Sequence, residues 1–368
     1  MIKHINIEGF KTFSNLSLEV SNLNLLTGLN GMGKSTLIQA MLLLRQSYEK
    51  SGRKPTLFLN DDTLASLGVV KDVLAWDGDG KEMCFSISNE KHTLAIKAKK
   101  AGDTTDDTME IEGDFDLAEK FSLFTDNFQY LNANRITPDD SFKLSNANVK
   151  KGNLGRVGEY TAHFLLENGR KDIPIKALCH ASEKQKNYTL QHQIEKWLTE
   201  ITPNPLSIKP IQVGNSIDIH YYSPENPLTE RTRVNEGFGI TYILGVLTAL
   251  LSAKEGDLLL IENPEAHLHA KGQSKLAELM CLAAQNGVQI FCETHSDHVI
   301  NATLVNVYEH FKYKGEKGID FSKVSLLFFT KENNVSKVTQ IAVSEKGRIK
   351  ETPKGFFDQI NIDLRRMI

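Results

Sequence analysis

The stretch Leu23-Asn-Leu-Leu-Thr-Gly28-Leu-Asn-Gly-Met-Gly33-Lys34-Ser35-Thr36 decides the fold. Leu23 to Thr27 reads as a short apolar strand. Ser35 to about Tyr48 reads as a helix, with Leu37, Ile38, Met41, Leu42 and Leu44 at helical spacing. Between them lies G-x-x-x-x-G-K-[ST], and a strand, this loop and a helix in succession make a phosphate-binding turn. The glycines let successive backbone N–H groups curl into an anion nest, and the helix adds its positive end. Asn30, Gly31 and Gly33 are therefore expected to line the phosphates. Lys34 is expected to reach the β- and γ-phosphates, Ser35 to ligate Mg²⁺, and Thr36 to bond the α-phosphate.

Upstream, Ile2–Gly9 alternates apolar and polar residues, and Leu16–Val20 follows as another short strand. Downstream, Met83–Ser88 and Thr93–Lys97 read as antiparallel strands after the turn signal Asp77-Gly-Asp-Gly80, and acidic 103–113 reads as a solvated loop or hairpin tip. Leu190–Ile201 reads as a helix, and Ile217–Tyr221 as a strand. Beyond residue 240, apolar helices alternate with buried strands: Ile240–Ala253, Asp257–Ile261, Gly272–Ala284 and Val288–Cys292. Val324–Phe329 and Val338–Val343 end the pattern, which predicts α/β architecture with a largely parallel sheet.

In Asp257-Leu-Leu-Leu-Ile-Glu262-Asn-Pro-Glu265-Ala-His267-Leu-His269 an apolar strand ends in a carboxylate. Glu262 suits a metal role opposite Ser35, and Glu265 suits a base that deprotonates an attacking water. The alternative is that both stabilise the dipole of the next helix. His267 and His269 read as packing or subunit-contact residues rather than metal ligands. Asn235-Glu-Gly237-Phe238-Gly239 precedes the helix from Ile240, where Gly-x-Gly at a helix start suits a phosphate or a plain tight turn. Glu293-Thr-His295-Ser-Asp-His298 ends the last buried strand, so His295 is placed to hydrogen-bond a γ-phosphate. Ser296, Asp297 and His295 carry the residue types of a hydrolase triad, but neighbouring positions do not converge on one reacting atom.

The chain has 368 residues, 40% hydrophobic and 24% charged, with a formal net charge of −3. That permits about two domains, or one with a large insertion, and excludes both a disordered chain and a globally basic nucleic-acid coat. Four scattered cysteines without a C-x-x-C pair give neither a disulfide framework nor a zinc site. No apolar run of about 18 residues marks a membrane span, and no secretory signal opens the chain, so a cytoplasmic location is expected. Lys91, Lys97, Lys99 and Lys100 form a local basic run that would serve either as a DNA contact or as a solvated strand face. Arg135 reads as an extra cation for the site or as one partner of a surface salt bridge.

Taken in order, these segments resemble the ABC-type ATPase heads of the RecF, SMC and OLD families. Ile7-Glu-Gly-Phe-Lys11-Thr-Phe resembles their opening strand, Gly28–Ser35 their Walker A, Gly237-Phe-Gly239 a variant signature motif and Leu258–Glu265 their Walker B. Ala266–Ala270 corresponds to the D-loop and Glu293-Thr-His295-Ser to the switch-histidine segment. Val234–Val299 and the tail Pro353-Lys-Gly-Phe-Phe-Asp358 are similar to the small bacterial ATPases found beside phage-defence effectors. The resemblance implies an ATPase head with a mostly parallel core sheet, an antiparallel β subdomain and a helical/β insertion. The head would be split between residues 1–48 and 226–368, and 49–225 would carry recognition elements.

The resemblance also implies that ATP and Mg²⁺ are sandwiched in a homodimer or higher homo-oligomer, with Gly237, Phe238 and Gly239 of one subunit completing the partner's site. Lys34, Glu265 and His295 would be the catalytic residues. Three departures qualify it. Asn263 stands where many ABC ATPases have the catalytic glutamate, which moves that assignment to Glu265 and implies slow turnover. Glu236 replaces the signature serine, and Ala270 replaces a D-loop proline. Only 73 residues follow His295, too few for the Toprim nuclease of OLD enzymes, so an effector nuclease or toxin is expected in trans. The expected function is an ATPase controlling that effector in anti-phage defence. The alternatives are a RecF-like DNA-repair ATPase and a nucleotide-gated scaffold with little turnover.

Overall fold

In the computed structural model the chain forms two compact units, Met1–Phe124 with Asp320–Ile368, and Thr125–Ile319. All residues are described except 53, 76–81, 101, 139, 182–186, 203–204, 215, 224–225, 233–237, 354, 357–364 and 368.

The first unit opens with β1 (His4–Phe10), β2 (Phe13–Glu19) and β3 (Leu23–Gly28), then α1 (Lys34–Lys50), β4 (Thr56–Phe58) and the single turn α2 (Val70–Val73). β5 (Glu82–Ser88), β6 (Thr93–Lys99) and β7 (Thr108–Glu112) follow. β1 and β2 bury Ile5, Ile7, Leu16 and Leu18, as their period-two pattern requires. They belong to an antiparallel sheet of order β2-β1-β5-β6-β7-β4. The segment read as an acidic loop therefore contains a strand. Glu110 and Glu112 point outward from β7 and pair with Lys54 and Lys99, while Met109 is buried. Acidic composition reflected one face of this strand. The turn signal at Asp77–Gly80 lies outside the described residues.

The second unit begins with β8 (Phe128–Leu131), β9 (Phe142–Lys143), α3 (Asn146–Lys150), α4 (Thr161–Asn168) and α5 (Leu190–Ile201), the last spanning the residues predicted for it. β10 (Ser207–Val213), β11 (Ser216–Ser223) and β12 (Asn226–Thr232) pair antiparallel, with β9 on β11. Then come α6 (Phe238–Ser252), β13 (Leu258–Glu262), α7 (Ala270–Gln285), β14 (Gln289–Glu293) and α8 (Asp297–Lys312). β13 runs parallel to both β14 and β8. β8 and β14 are buried end to end and β13 up to Ile261, as strands covered on both faces should be.

The chain returns to the first unit with β15 (Val324–Glu332), parallel to β3, and β16 (Val335–Ile341), antiparallel to β15. The fold is α/β, with parallel core strands and, among the described residues, an antiparallel sheet in each unit. Among the described residues no helix is long and apolar enough to cross a membrane. None of the four cysteines is joined in a disulfide, and Cys281 and Cys292 are buried.

Candidate functional site

Buried β3 delivers the chain into the phosphate loop at Gly28, whose φ is +133°. A Cβ there would lie 2.4 Å from the Phe329 carbonyl oxygen of β15, so only glycine lets the loop leave the strand so close to its neighbour. Gly31 and Gly33 also take positive φ, +75° and +106°, and Gly33 caps α1 without a side-chain bond. No acid occupies the first turn of α1. The helix thus presents its positive end to the loop uncompensated by carboxylate. The Lys34 ammonium folds back to donate to the Gly28 and Leu29 carbonyls, both at 2.9 Å, which fixes it at the hub of the loop. Asn30 and Gly31 are exposed, and Ser35 and Thr36 half-buried, at the start of the helix.

Behind the loop, Thr12 accepts the Ser336 N–H on its carbonyl and the Ser336 hydroxyl on its own hydroxyl, each at 2.8 Å. Lys11, also at positive φ, donates to Gln39 of α1 at 2.8 Å, and desolvation lowers its pKa.

In the second unit, β13 ends on Glu262. One of its carboxylate oxygens accepts the Tyr130 hydroxyl at 2.9 Å and the other the Ala133 N–H at 3.2 Å. Burial, reinforced by this carboxylate, pushes the Tyr130 phenol well above its ordinary pKa, so it stays a donor. The chain then turns through Asn263 at φ +44°, whose N–H donates to the Glu293 carbonyl at 2.8 Å.

Glu265 follows, 7% exposed. Its Oε1 accepts the Thr294 hydroxyl at 2.7 Å and the His295 N–H at 2.8 Å, while its Oε2 is buried without a hydrogen-bond partner. The His295 imidazole is 40% exposed, with Nε2 3.9 Å from Glu293. The end of β13 and the end of β14 are thereby joined through one carboxylate.

Arg135 is not a surface salt-bridge partner but a buried cation beside the acids of the candidate site. It is 5% exposed, lies 4.4 Å over the Tyr242 ring, and donates to the backbone carbonyls of Glu262 and Asn263, the latter at 3.3 Å. Burial lowers its pKa from the arginine value. It shapes the turn from inside rather than reaching solvent or a surface acid.

A family profile described as "AAA domain, putative AbiEii toxin, Type IV TA system" matches residues 23–301, well over half of the chain. The chain belongs to this family. A second profile, "Protein of unknown function (DUF3696)", matches residues 319–367. The OLD nuclease of Thermus scotoductus is 24% identical over 322 residues, covering 80% of this chain and 59% of that protein. The chain thus spans well under two thirds of the length of this curated relative.

The SmcHead bound to the C-winged helix domain of ScpA superposes with a TM-score of 0.51 at 12% identity, over 94% of this chain and 98% of that one. An Smc head domain with an extended coiled coil, bound to the C-terminal domain of ScpA and derived from Pyrococcus furiosus, gives 0.51 at 14% identity, over 100% and 99%. The fold is shared with these SMC heads.

Other sequence-predicted positions are placed unevenly. Gly237 lies outside the described residues, as do parts of the tail motif 353–358. Phe238 opens α6. A Cβ at Gly239 would meet the His267 carbonyl at 2.8 Å, so α6 starts hard against the turn at His267. His267 has φ +63° and packs its ring on Tyr242, 5.2 Å between centroids. Among the described residues no group of three or more His, Cys, Asp or Glu could hold a metal ion.

Ser296 caps α8, accepting the Val299 N–H, and donates to Gln273. That placement gives its hydroxyl a structural task and no base. In the basic run, Lys97 pairs with Glu82 and Lys99 with Glu112 across the sheet. Those two cations are part of a mixed-charge strand face, which pulls weakly on a phosphate backbone. Sequence reasoning missed Tyr130 and Thr294. Thr294 stood inside a quoted motif, but its hydroxyl gained a role only when the fold brought it to Glu265.

Proposed function

We propose that the protein binds and hydrolyses ATP with Mg²⁺, dimerises around the nucleotide, and uses that cycle to control an effector protein in bacterial anti-phage defence. Residues 1–48 and 226–368 form the head in this reading, and 49–225 the recognition insertion. Asn30, Gly31, Gly33, Lys34, Ser35 and Thr36 hold the phosphates. Gly237, Phe238 and Gly239 reach the partner's nucleotide.

The observation that carries hydrolysis is Glu265: a buried carboxylate, oriented through Oε1 by two donors, with Oε2 left unpartnered. An oxygen so placed is ready to accept a proton from water, and His295 on the adjoining strand end bonds the γ-phosphate. Ser35 and Glu262 offer the hard oxygen donors that Mg²⁺ prefers. Each Glu262 oxygen already accepts one hydrogen bond and keeps lone-pair capacity. Bound there, the ion would neutralise charge developing on the phosphates.

What supports the defence role is the family description, which names a putative AbiEii toxin and a Type IV TA system. Phosphate release by the wild type and by Glu265→Gln, with sedimentation of each in the presence and absence of ATP, tests the reading. ATP-dependent dimers with turnover lost in Glu265→Gln are expected. A monomer at saturating ATP would overturn the sandwich. Dimers without wild-type turnover would instead make the protein a nucleotide-gated scaffold.

A further inference from the structure

A cavity of about 470 Å³ opens within the second unit, in the size range of small-molecule sites. Buried Phe128 and Phe164 line it together with exposed Lys150, Lys151 and Lys254 and half-buried Asp257. Asp257 Oδ2 accepts the Lys254 N–H at 2.9 Å, but Oδ1 is buried with no hydrogen-bond partner. Buried carboxylate oxygens are seldom left without a donor, so this one marks where a ligand N–H belongs. Desolvation raises the Asp257 pKa, the direction expected of an acid whose charged form lacks a partner.

The cavity is remote from the proposed ATP chemistry. Asp257 immediately precedes β13, and Glu262 ends it, so the two are separated by roughly 17 Å at about 3.3 Å per residue. Open α/β sheets take their main ligand at the carboxyl ends of the strands, which is the Glu262 end.

The geometry points to a second ligand site for a nucleotide, its flat base against Phe128 and Phe164, a base N–H on Asp257 Oδ1, and its phosphate among Lys150, Lys151 and Lys254. A free amino acid would satisfy the opposite charges but leave most of the volume empty. Asp126, Asp172 and Lys171 also line the cavity, but among the described residues no group of three or more His, Cys, Asp or Glu is placed to hold a metal ion, which argues against a divalent cation. Such a site would work independently of ATP turnover, at the opposite end of β13 from Glu262.

Calorimetric titration of the full chain with AMP, GMP, CMP and UMP tests it, with glycine and glutamate as amino-acid controls. Saturable binding of at least one monophosphate is expected, weakened more than tenfold in Asp257→Asn and in Lys150→Glu/Lys151→Glu, and changed less than twofold in Lys34→Ala. ATP affinity should change less than twofold in the first two variants. The lysine pair is exposed, so that variant keeps the test valid if Asp257→Asn fails to fold. Absence of monophosphate binding overturns the inference. So does binding that Lys34→Ala abolishes, or binding of the amino acids alone.

Discussion

The Glu265 carboxylate accepts the Thr294 hydroxyl at 2.7 Å, across 29 residues of sequence. This bond ties the loop after β13 to the end of β14 and aims the carboxylate. Thr294→Val should remove one of two donors to a buried oxygen, cost about 1–2 kcal/mol of stability, and lower kcat roughly tenfold. Thr294→Ser should restore most of both. Urea unfolding and phosphate-release kinetics check this.

Glu265→Gln keeps the shape and an acceptor oxygen while removing the base. Turnover should fall by about 10²-fold or more, with ATP affinity within about threefold of wild type. Equilibrium ATP binding beside steady-state kinetics makes the comparison.

Gly28→Ala and Gly31→Ala should separate steric contact from backbone strain. Both positions have positive φ, but a Cβ at Gly28 meets a carbonyl at 2.4 Å and one at Gly31 meets nothing within 4 Å. Gly31→Ala should cost about 1–2 kcal/mol. Gly28→Ala should cost distinctly more and shift the urea midpoint furthest.

Arg135→Met removes a buried cation and leaves the Glu262 and Asn263 carbonyls without their side-chain donor. A loss of about 2–4 kcal/mol is expected, larger than for an exposed arginine. Denaturant titration of this variant beside Arg348→Met supplies the contrast.

Asp257 sets a pH signature. Its folded pKa is raised above the ordinary aspartate value of 3.8 by burial, so the folded state binds its proton more tightly than the unfolded chain. The associated stability is fully present below 3.8 and is lost as pH rises through the elevated folded value. Wild type should therefore lose stability relative to Asp257→Asn across that window. Parallel slopes of unfolding free energy against pH in the two proteins would contradict it.

The phosphate loop and its flanks were legible because spacing, strand and helix all agree on one local structure. α5 was legible for a similar reason: Leu190, Ile194, Trp197, Leu198 and Ile201 make one buried stripe. β8 was not. It is four residues long and wholly buried, so it offers neither alternation nor length. β7 was hidden by its own outward acids. Tyr130 escaped, and the carbonyls that Arg135 holds could not be read, because both roles rest on β13, more than a hundred residues away, and no local pattern records such a meeting. Motif spacing named Glu262, Glu265 and His295, while folding supplied the donors that orient the first two.

Arg135 grips the carbonyls of residues 262 and 263, not their side chains, and Asn263 turns with a left-handed main chain. That conformation admits asparagine readily and resists longer side chains. The main chain thus acts as a sieve on what chemistry the corner can host. A glutamate introduced at 263 would pay in backbone strain before it could serve as a base, and Arg135 would still hold the turn unchanged. For anyone seeking to speed this protein up, the corner's shape has to be rebuilt before its acid can be moved.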